Sequence, residues 1–308
     1  MTVPCPTRFH TGDVPEARRL AAWEDHNVRS LLGLRAHPPG DTPFVGTELN
    51  LTLTRLQLAK VTGSPHVVER APAQIAACPG DGVVVYLALA GQGWFEHRDG
   101  RELLSPGQAL VCDADRPFRR GFTRGLTELV VKAPRDVLHE TTGRSGLTRP
   151  RIIGARSPYG DALGSLVATA LHGTGERAAL EADVLALLPA LVGAQPAAAG
   201  HLAAARAVIS RHLADPELSA GRIARAVGVS ERQLSRVFAE TGHSVPQAVL
   251  AARLDAARAV VTDPAARAET LAEVAARHGF GSQAHFSRSY RARFGTTPLR
   301  DRRDACAR

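Results

Sequence analysis

Two stretches, IARAVGVSERQLSRVF (Ile223–Phe238) and VAARHGFGSQAHFSRSY (Val274–Tyr290), are copies of one pattern about 51 residues apart, and their reading decides the architecture of the last third of the chain. Each runs as a helix, a glycine turn and a second helix, closed by Gly242 and Pro246 in the first copy and by Gly295 and Pro298 in the second. Gly228 and Gly279 supply the positive φ that a tight turn after a helix requires, and Ser230 and Ser282 stand where an N-cap hydroxyl opens the next one. In that next helix Leu234 and Phe238, or Phe286 and Tyr290, lie four residues apart and share an inward face. Arg232, Ser235 and Arg236 in the first copy, and Gln283, His285, Ser287 and Arg288 in the second, fall on other faces. Guanidinium and amide groups near a helix N-terminus are what reading base edges in a major groove requires. One such pattern is common in purely structural helical hairpins, whereas two aligned copies predict double-stranded DNA as the partner.

The surroundings of the repeat agree with that reading. Pro246 suits the first turn of a helix, and QAVLAARLDAARAVV (Gln247–Val261) continues it to the stop at Asp263-Pro264, giving a strut about 24 Å long. Such a strut would hold the units, at about 219–242 and 270–295, far enough apart to read segments one duplex turn, about 34 Å, from each other. From His201 onward the chain has 17 arginines, no lysine and 10 acidic residues, so this segment carries +7 of the net +8. A basic domain joined to a nearly neutral one points to a polyanion as the partner of the basic part.

Upstream the periodicity changes. After a helix expected around Pro15 to Leu32, residues 49–134 read as short strands. In ELNLTLTRLQLAK, Leu49, Leu51 and Leu53 alternate with polar residues and Leu56 and Leu58 resume in the other phase, which predicts a bulged or interrupted strand. GVVVYLALAG is a buried-type run, Asp99-Gly100 marks a hairpin, and Pro106-Gly107 precedes a further strand. Short strands at this spacing imply a sandwich or barrel. Pro158 to Leu171 and Glu176 to Val192 then read as Ala/Leu-rich helices, the second bent or ended by Pro189. The expected organisation is an α+β chain: a β domain with a helical tail over 1–192, a linker at 193–200 and an all-α domain with two helix-turn-helix units over 201–308.

The paired units, with SERQLSRVFAETGHSVPQAVLAARLDAA and the ending FSRSYRARFGTTP, resemble the AraC/XylS family of bacterial transcription regulators over about 100 residues. The resemblance implies one monomer inserting two recognition helices into successive major-groove segments, with base contacts at Arg232, Ser235, Arg236, Gln283, His285 and Arg288. One position departs from the pattern: the family often has an aromatic three residues after the final proline, where this chain has Asp301. YLALAGQGWFEHRDGRELLSPGQALVCDADRPF more loosely resembles the cupin-like, effector-sensing domain of many members, which implies a ligand-binding or dimerising module. RNA polymerase would be a further partner if the protein activates, and a homodimer would multiply DNA affinity.

A catalytic cupin would need clustered histidines and a carboxylate around a metal. His66 and His97 are isolated and QALVCDADRPF lacks the last ligand, so neither a metal, another cofactor nor an enzyme activity is expected. For an effector, Tyr86, Trp94, His97 and Phe118 offer stacking and hydrogen bonding on expected strands or at a strand end, and Arg116, Arg119 and Arg120 form a basic cluster that reads as a solvated loop, with contact to an acidic effector as the alternative. The alternative is a β domain that only dimerises or binds a protein. Cys5, Cys78, Cys112 and Cys306 are too dispersed for a zinc site and read as reduced thiols or small core residues. With no signal-peptide pattern and no long apolar run, a cytoplasmic protein is expected, nucleoid-associated when on DNA and with no membrane partner.

Overall fold

The computed structural model describes residues 5–40, 43–173 and 176–306. The chain forms two compact units, Met1–Ala203 and Ala204–Arg308. In the first, strands β1 (Thr7–His10), β2 (Arg35–His37), β3 (Gly46–Thr52), β4 (Gln57–Gly63), β5 (His66–Arg70), β6 (Gly82–Ala90), β7 (Gly93–His97), β8 (Gly100–Leu104), β9 (Ala109–Asp113), β10 (Phe118–Phe122), β11 (Leu126–Pro134) and β12 (Arg151–Ile153) build two antiparallel sheets. Their orders are β1-β3-β4-β11-β6-β9-β12 and β2-β5-β10-β7-β8. Side chains alternate across each strand, so Val84, Tyr86, Leu110, Cys112 and Val130 of one sheet meet Val68, Phe95, Phe118 and Phe122 of the other in a shared interior. Helix α1 (Arg19–Ser30) adds Trp23 to that interior, with Phe44 edge-on to it at 5.3 Å.

The phase change in the leucine pattern is a hairpin rather than a bulge. β3 and β4 pair antiparallel, and the turn between them is closed by Leu53 N–H donating to the Leu56 carbonyl at 2.8 Å. Two more of its donors, the N–H groups of Arg55 and Leu56, go to the buried carboxylate of Glu181 at 2.6 and 3.0 Å. A four-residue turn shifts the alternation just as a bulge does, and only the pairing distinguishes them.

Besides α1, this unit carries α2 (Pro72–Ala77), α3 (Arg135–Thr142), α4 (Pro158–Leu171) and α5 (Arg177–Leu191). α4 packs on β3, β4 and β11, and α5 packs on α3 and α4. Pro189 lies inside α5, two residues before its end, and its carbonyl accepts from Ala194 N–H at 2.7 Å, closing the helix. The stretch expected as a linker is irregular over 192–197 and helical from Ala198, where α6 (Ala198–Arg211) begins. Among the described residues no helix is long and apolar enough to cross a membrane.

The second unit contains α7 (Ala220–Val227), α8 (Glu231–Ala239), α9 (Val245–Val261), α10 (Leu271–Arg277), α11 (Gln283–Phe294) and α12 (Pro298–Cys306). α9 is the strut, opened by a reciprocal cap in which Ser244 Oγ accepts from Gln247 N–H and Gln247 returns its side-chain oxygen to Ser244 N–H. Leu254, Ala257 and Val261 of α9 share one core with Val274, Phe286 and Tyr290. Its guanidinium-bearing Arg253 donates to the carbonyls of Leu213 and Asp215 at 3.0 and 2.6 Å, fixing the entry segment against the strut. At Asp301, where the family often has an aromatic, the carboxylate accepts the hydroxyl of buried Tyr290 at 2.8 Å and lies 3.4 Å from Arg258. A polar anchor thus holds α12, and Leu299 is left exposed.

Candidate nucleic-acid interface and effector cavity

The two helix-turn-helix units are closed by the same hydrogen bonds. In the first, Val229 N–H reaches the Ala224 carbonyl at 3.0 Å and Gly228 N–H reaches that of Arg225 at 3.3 Å; in the second, Phe280 reaches Ala275 and Gly279 reaches Ala276, each at 3.0 Å. Both are Schellman closures around a left-handed glycine, with φ of 79° at Gly228 and 73° at Gly279. Ser230 Oγ then accepts from Gln233 N–H at 3.1 Å, and Ser282 Oγ from His285 N–H at 3.2 Å. Leu234, Val237 and Phe238 of α8, and Phe286 and Tyr290 of α11, are buried.

The opposite faces are exposed, and the arginines sort by partner. Arg222 pairs with Asp215, Arg258 with Asp301, Arg277 with Glu269, and Arg293 makes a two-bond pair with Asp255. Arg232 and Arg236 on α8 and Arg288 and Arg291 on α11 are exposed and enter no ion pair among the described residues. Ser235, Gln283 and His285 are also exposed, His285 with its ring 5.8 Å from Phe280, and Ser287 is half-buried at the edge of the face. Counting from the two capping serines, Arg236 and Arg288 occupy the same place, as do Ser235 and Ser287, while Arg232 corresponds to Ala284. Arg291, absent from the sequence reading, lies one turn beyond Ser287 on the same face; the helical period would have found it.

In the β domain the expected effector residues fall into three places. Phe118 and His97 line a cavity of about 450 Å³ with Phe95, Cys112, Arg116 and Pro117. Tyr86 lies deeper, fully buried, with the Arg120 guanidinium stacked 3.8 Å from its ring centre. Trp94 alternates with the inward Phe95 and so stands on the other face of its sheet, half-buried across Gly121, with Arg101 stacked over it at 4.0 Å. The basic cluster divides likewise. Arg116 and Arg119 are exposed beside the cavity, whereas Arg120 is buried and paired through two hydrogen bonds of 3.1 and 2.6 Å with buried Glu128. Arg120 is therefore an interior residue and not part of a solvated loop. The sequence hid this because FRRGF is too short and too charged to read as a strand, yet β10 alternates Phe118, Arg120 and Phe122 inward.

That interior is polar at its centre. Glu48 and Asn50 of β3 also point into it, with Asn50 Nδ2 donating to Glu48 Oε1 at 2.7 Å. Burial pushes the Glu48 carboxyl up to about 7, against the Asn50 hydrogen bond and with help from the Glu128 charge. Burial pushes His66 down to about 4, so its ring is neutral near pH 7 while Nδ1 bonds to the Ser64 carbonyl at 2.7 Å. Among the described residues no three His, Cys, Asp or Glu side chains gather as a metal site requires.

Comparison with known proteins adds to this geometry. Residues 23–195 match an AraC-binding-like domain and residues 223–304 a helix-turn-helix domain. The chain is 26% identical to the transcriptional activator NphR of a Rhodococcus species over 273 residues, covering 79% of this chain and 76% of that one. It is 28% identical to an uncharacterized protein in the nit 5' region of Bacillus sp. strain OxB-1 over 238 residues, covering 72% and 92%. Among solved structures, the AraC-like transcriptional activator CuxR is similar in fold, with a TM-score of 0.52 at 19% identity over 82% of this chain and 94% of that one.

Proposed function

The chain belongs to the AraC/XylS family of transcription regulators, and from that premise we propose that it is a sequence-specific transcription activator gated by a small-molecule effector in its β domain. Base reading falls to Arg232, Ser235 and Arg236 of α8 and to Gln283, His285, Ser287 and Arg288 of α11. The observation that carries this reading is the equivalence of Arg236 and Arg288: two guanidinium groups, at the same step after the same serine cap, exposed and in no ion pair among the described residues. Bidentate guanine contacts are favoured by this arrangement, because a guanidinium forked onto a carboxylate has its paired donors engaged and its plane fixed, and must break those bonds to face a base. Activation, rather than repression, is supported by the likeness to an activator over most of both chains.

Effector control has a structural route within the β domain. Asp113, on the cavity wall, lies 3.3 Å from Arg135, the first residue of α3, which also reaches Asp115 at 3.1 Å. α3 packs on α5, and Glu181 of α5 holds the β3–β4 turn. A ligand that binds two arrangements of these elements with different affinity shifts the population between them. The reading is tested with a duplex selected by the wild-type protein: Arg236→Ala and Arg288→Ala should each lose about 1 to 3 kcal/mol on it and little on a scrambled duplex. Undiminished discrimination in both variants would remove these arginines from base reading.

A further inference from the structure

We infer that the β-domain cavity takes a flat aromatic carboxylate, an inference that rests on the effector reading and names the ligand class. The observations are the chemistry of its floor and the balance of charge around it. Phe95 and Phe118 are 2% and 4% exposed, with ring centroids 5.3 Å apart, and together with the buried Cys112 they form an apolar floor. Burial pushes the Cys112 thiol up to about 12, so it stays neutral. Above that floor Ala71, Pro72, Pro117 and Pro150 supply accessible apolar wall; such a lining favours a flat aromatic ring over a sugar or a polar chain, and a cavity of about 450 Å³ accommodates two fused rings.

Most charges around the cavity have a partner. Of its carboxylates, Glu96 pairs with Arg101 at 2.9 Å, Asp99 with Arg98 at 3.1 Å and Asp113 with Arg135 at 3.3 Å, while Glu69 lies 3.5 Å from the His37 ring, an ion pair only when that ring is protonated. A cationic ligand would therefore have to displace an arginine from three of the four carboxylates. Arg70, with no exposed surface, gives its donors to the carbonyls of Ala114, Gly33 and Cys78. Arg119 stands on the outer face of its strand and reaches Glu96 at 3.7 Å. Arg116, exposed on the turn before β10, lines the cavity and has no ion pair among the described residues. A free guanidinium at the rim of an aromatic floor matches one planar carboxylate carried on a ring system, which it can hold by two parallel hydrogen bonds.

The test is calorimetric titration of the full-length protein with three probes of one shape and three charges: 2-naphthoate, 2-naphthamide and 2-naphthylmethylamine. Naphthoate should bind at least about tenfold more tightly than the amide, with the amine weakest. Arg116→Gln, an exposed change that leaves the core intact, should bring naphthoate to within about twofold of the amide and leave the amide unchanged. Arg119→Gln should alter none of the three. Equal binding of acid and amide by the wild-type protein, or naphthoate affinity unmoved by Arg116→Gln, would overturn the carboxylate class and leave the effector cavity standing. No binding of any probe would overturn the cavity reading together with it.

Discussion

Glu48 shows how far one residue's environment can depart from its chemistry: its carboxyl has no exposed surface, and Oε2 has no hydrogen-bond partner among the described residues, with the His26 ring 3.8 Å away. Because its folded pKa is raised to about 7, the penalty for ionising it is fully present above pH 7 and gone below the ordinary carboxylate range. His66 runs the other way, since a folded pKa of about 4 costs stability as pH falls below the ordinary value of 6.5. Glu48→Gln keeps the acceptor for Asn50 and should stabilise the protein at pH 8 by about 3 kcal/mol, an advantage that fades toward pH 4.5. Urea unfolding at both pH values measures it, and an equal difference at the two would refute burial as the cause. On α11, Arg291 lies further from the N-terminus than the positions proposed to read bases. Arg291→Ala should therefore weaken binding to specific and scrambled duplexes alike and lower the salt slope by about 1, whereas a specific-only loss would make it a base reader.

At the scale of elements, the two glycine turns are alike in backbone and unlike in surroundings. A methyl group at Gly228 would meet nothing within 4 Å, but one at Gly279 would stand 2.6 Å from the Leu213 carbonyl oxygen and 2.9 Å from Arg253. Gly228→Ala should cost about 1 kcal/mol for its left-handed backbone, and Gly279→Ala clearly more, about 3 kcal/mol, because backbone must also move. Equal losses in urea unfolding would mean that the second turn is free of the Leu213 segment. These turns were legible in the sequence because glycine, serine and an apolar pair at four residues express one local mechanism, twice. The β domain was legible only where strands are long or flanked by turn dipeptides, as in β6, β7 and β8. β5, β10 and α2 were not, since HVVER and FRRGF bury their charged Arg70 and Arg120, and polar alternation usually marks a solvent face. The same inversion hid the polar interior of Glu48, Asn50 and Glu128, which only pairing between sheets reveals. Of the effector candidates, Phe118 and His97 share the cavity because both alternate inward from strands at its edge, and Trp94 does not because it is one residue out of phase.

At the scale of the whole molecule, charge and fold divide together: the residues from His201 onward hold +7 of the net +8, and nearly all of them belong to the unit that carries both helix-turn-helix copies. We propose that this unit reads two separate segments of one duplex. The decisive experiment is selection of bound duplexes from a random-sequence pool by the full-length protein, followed by titration of the winner across salt concentrations. Two short conserved blocks with centres about one helical turn apart and a log-linear loss of affinity with salt are expected. A single conserved block, or no enrichment with or without 2-naphthoate, would contradict it.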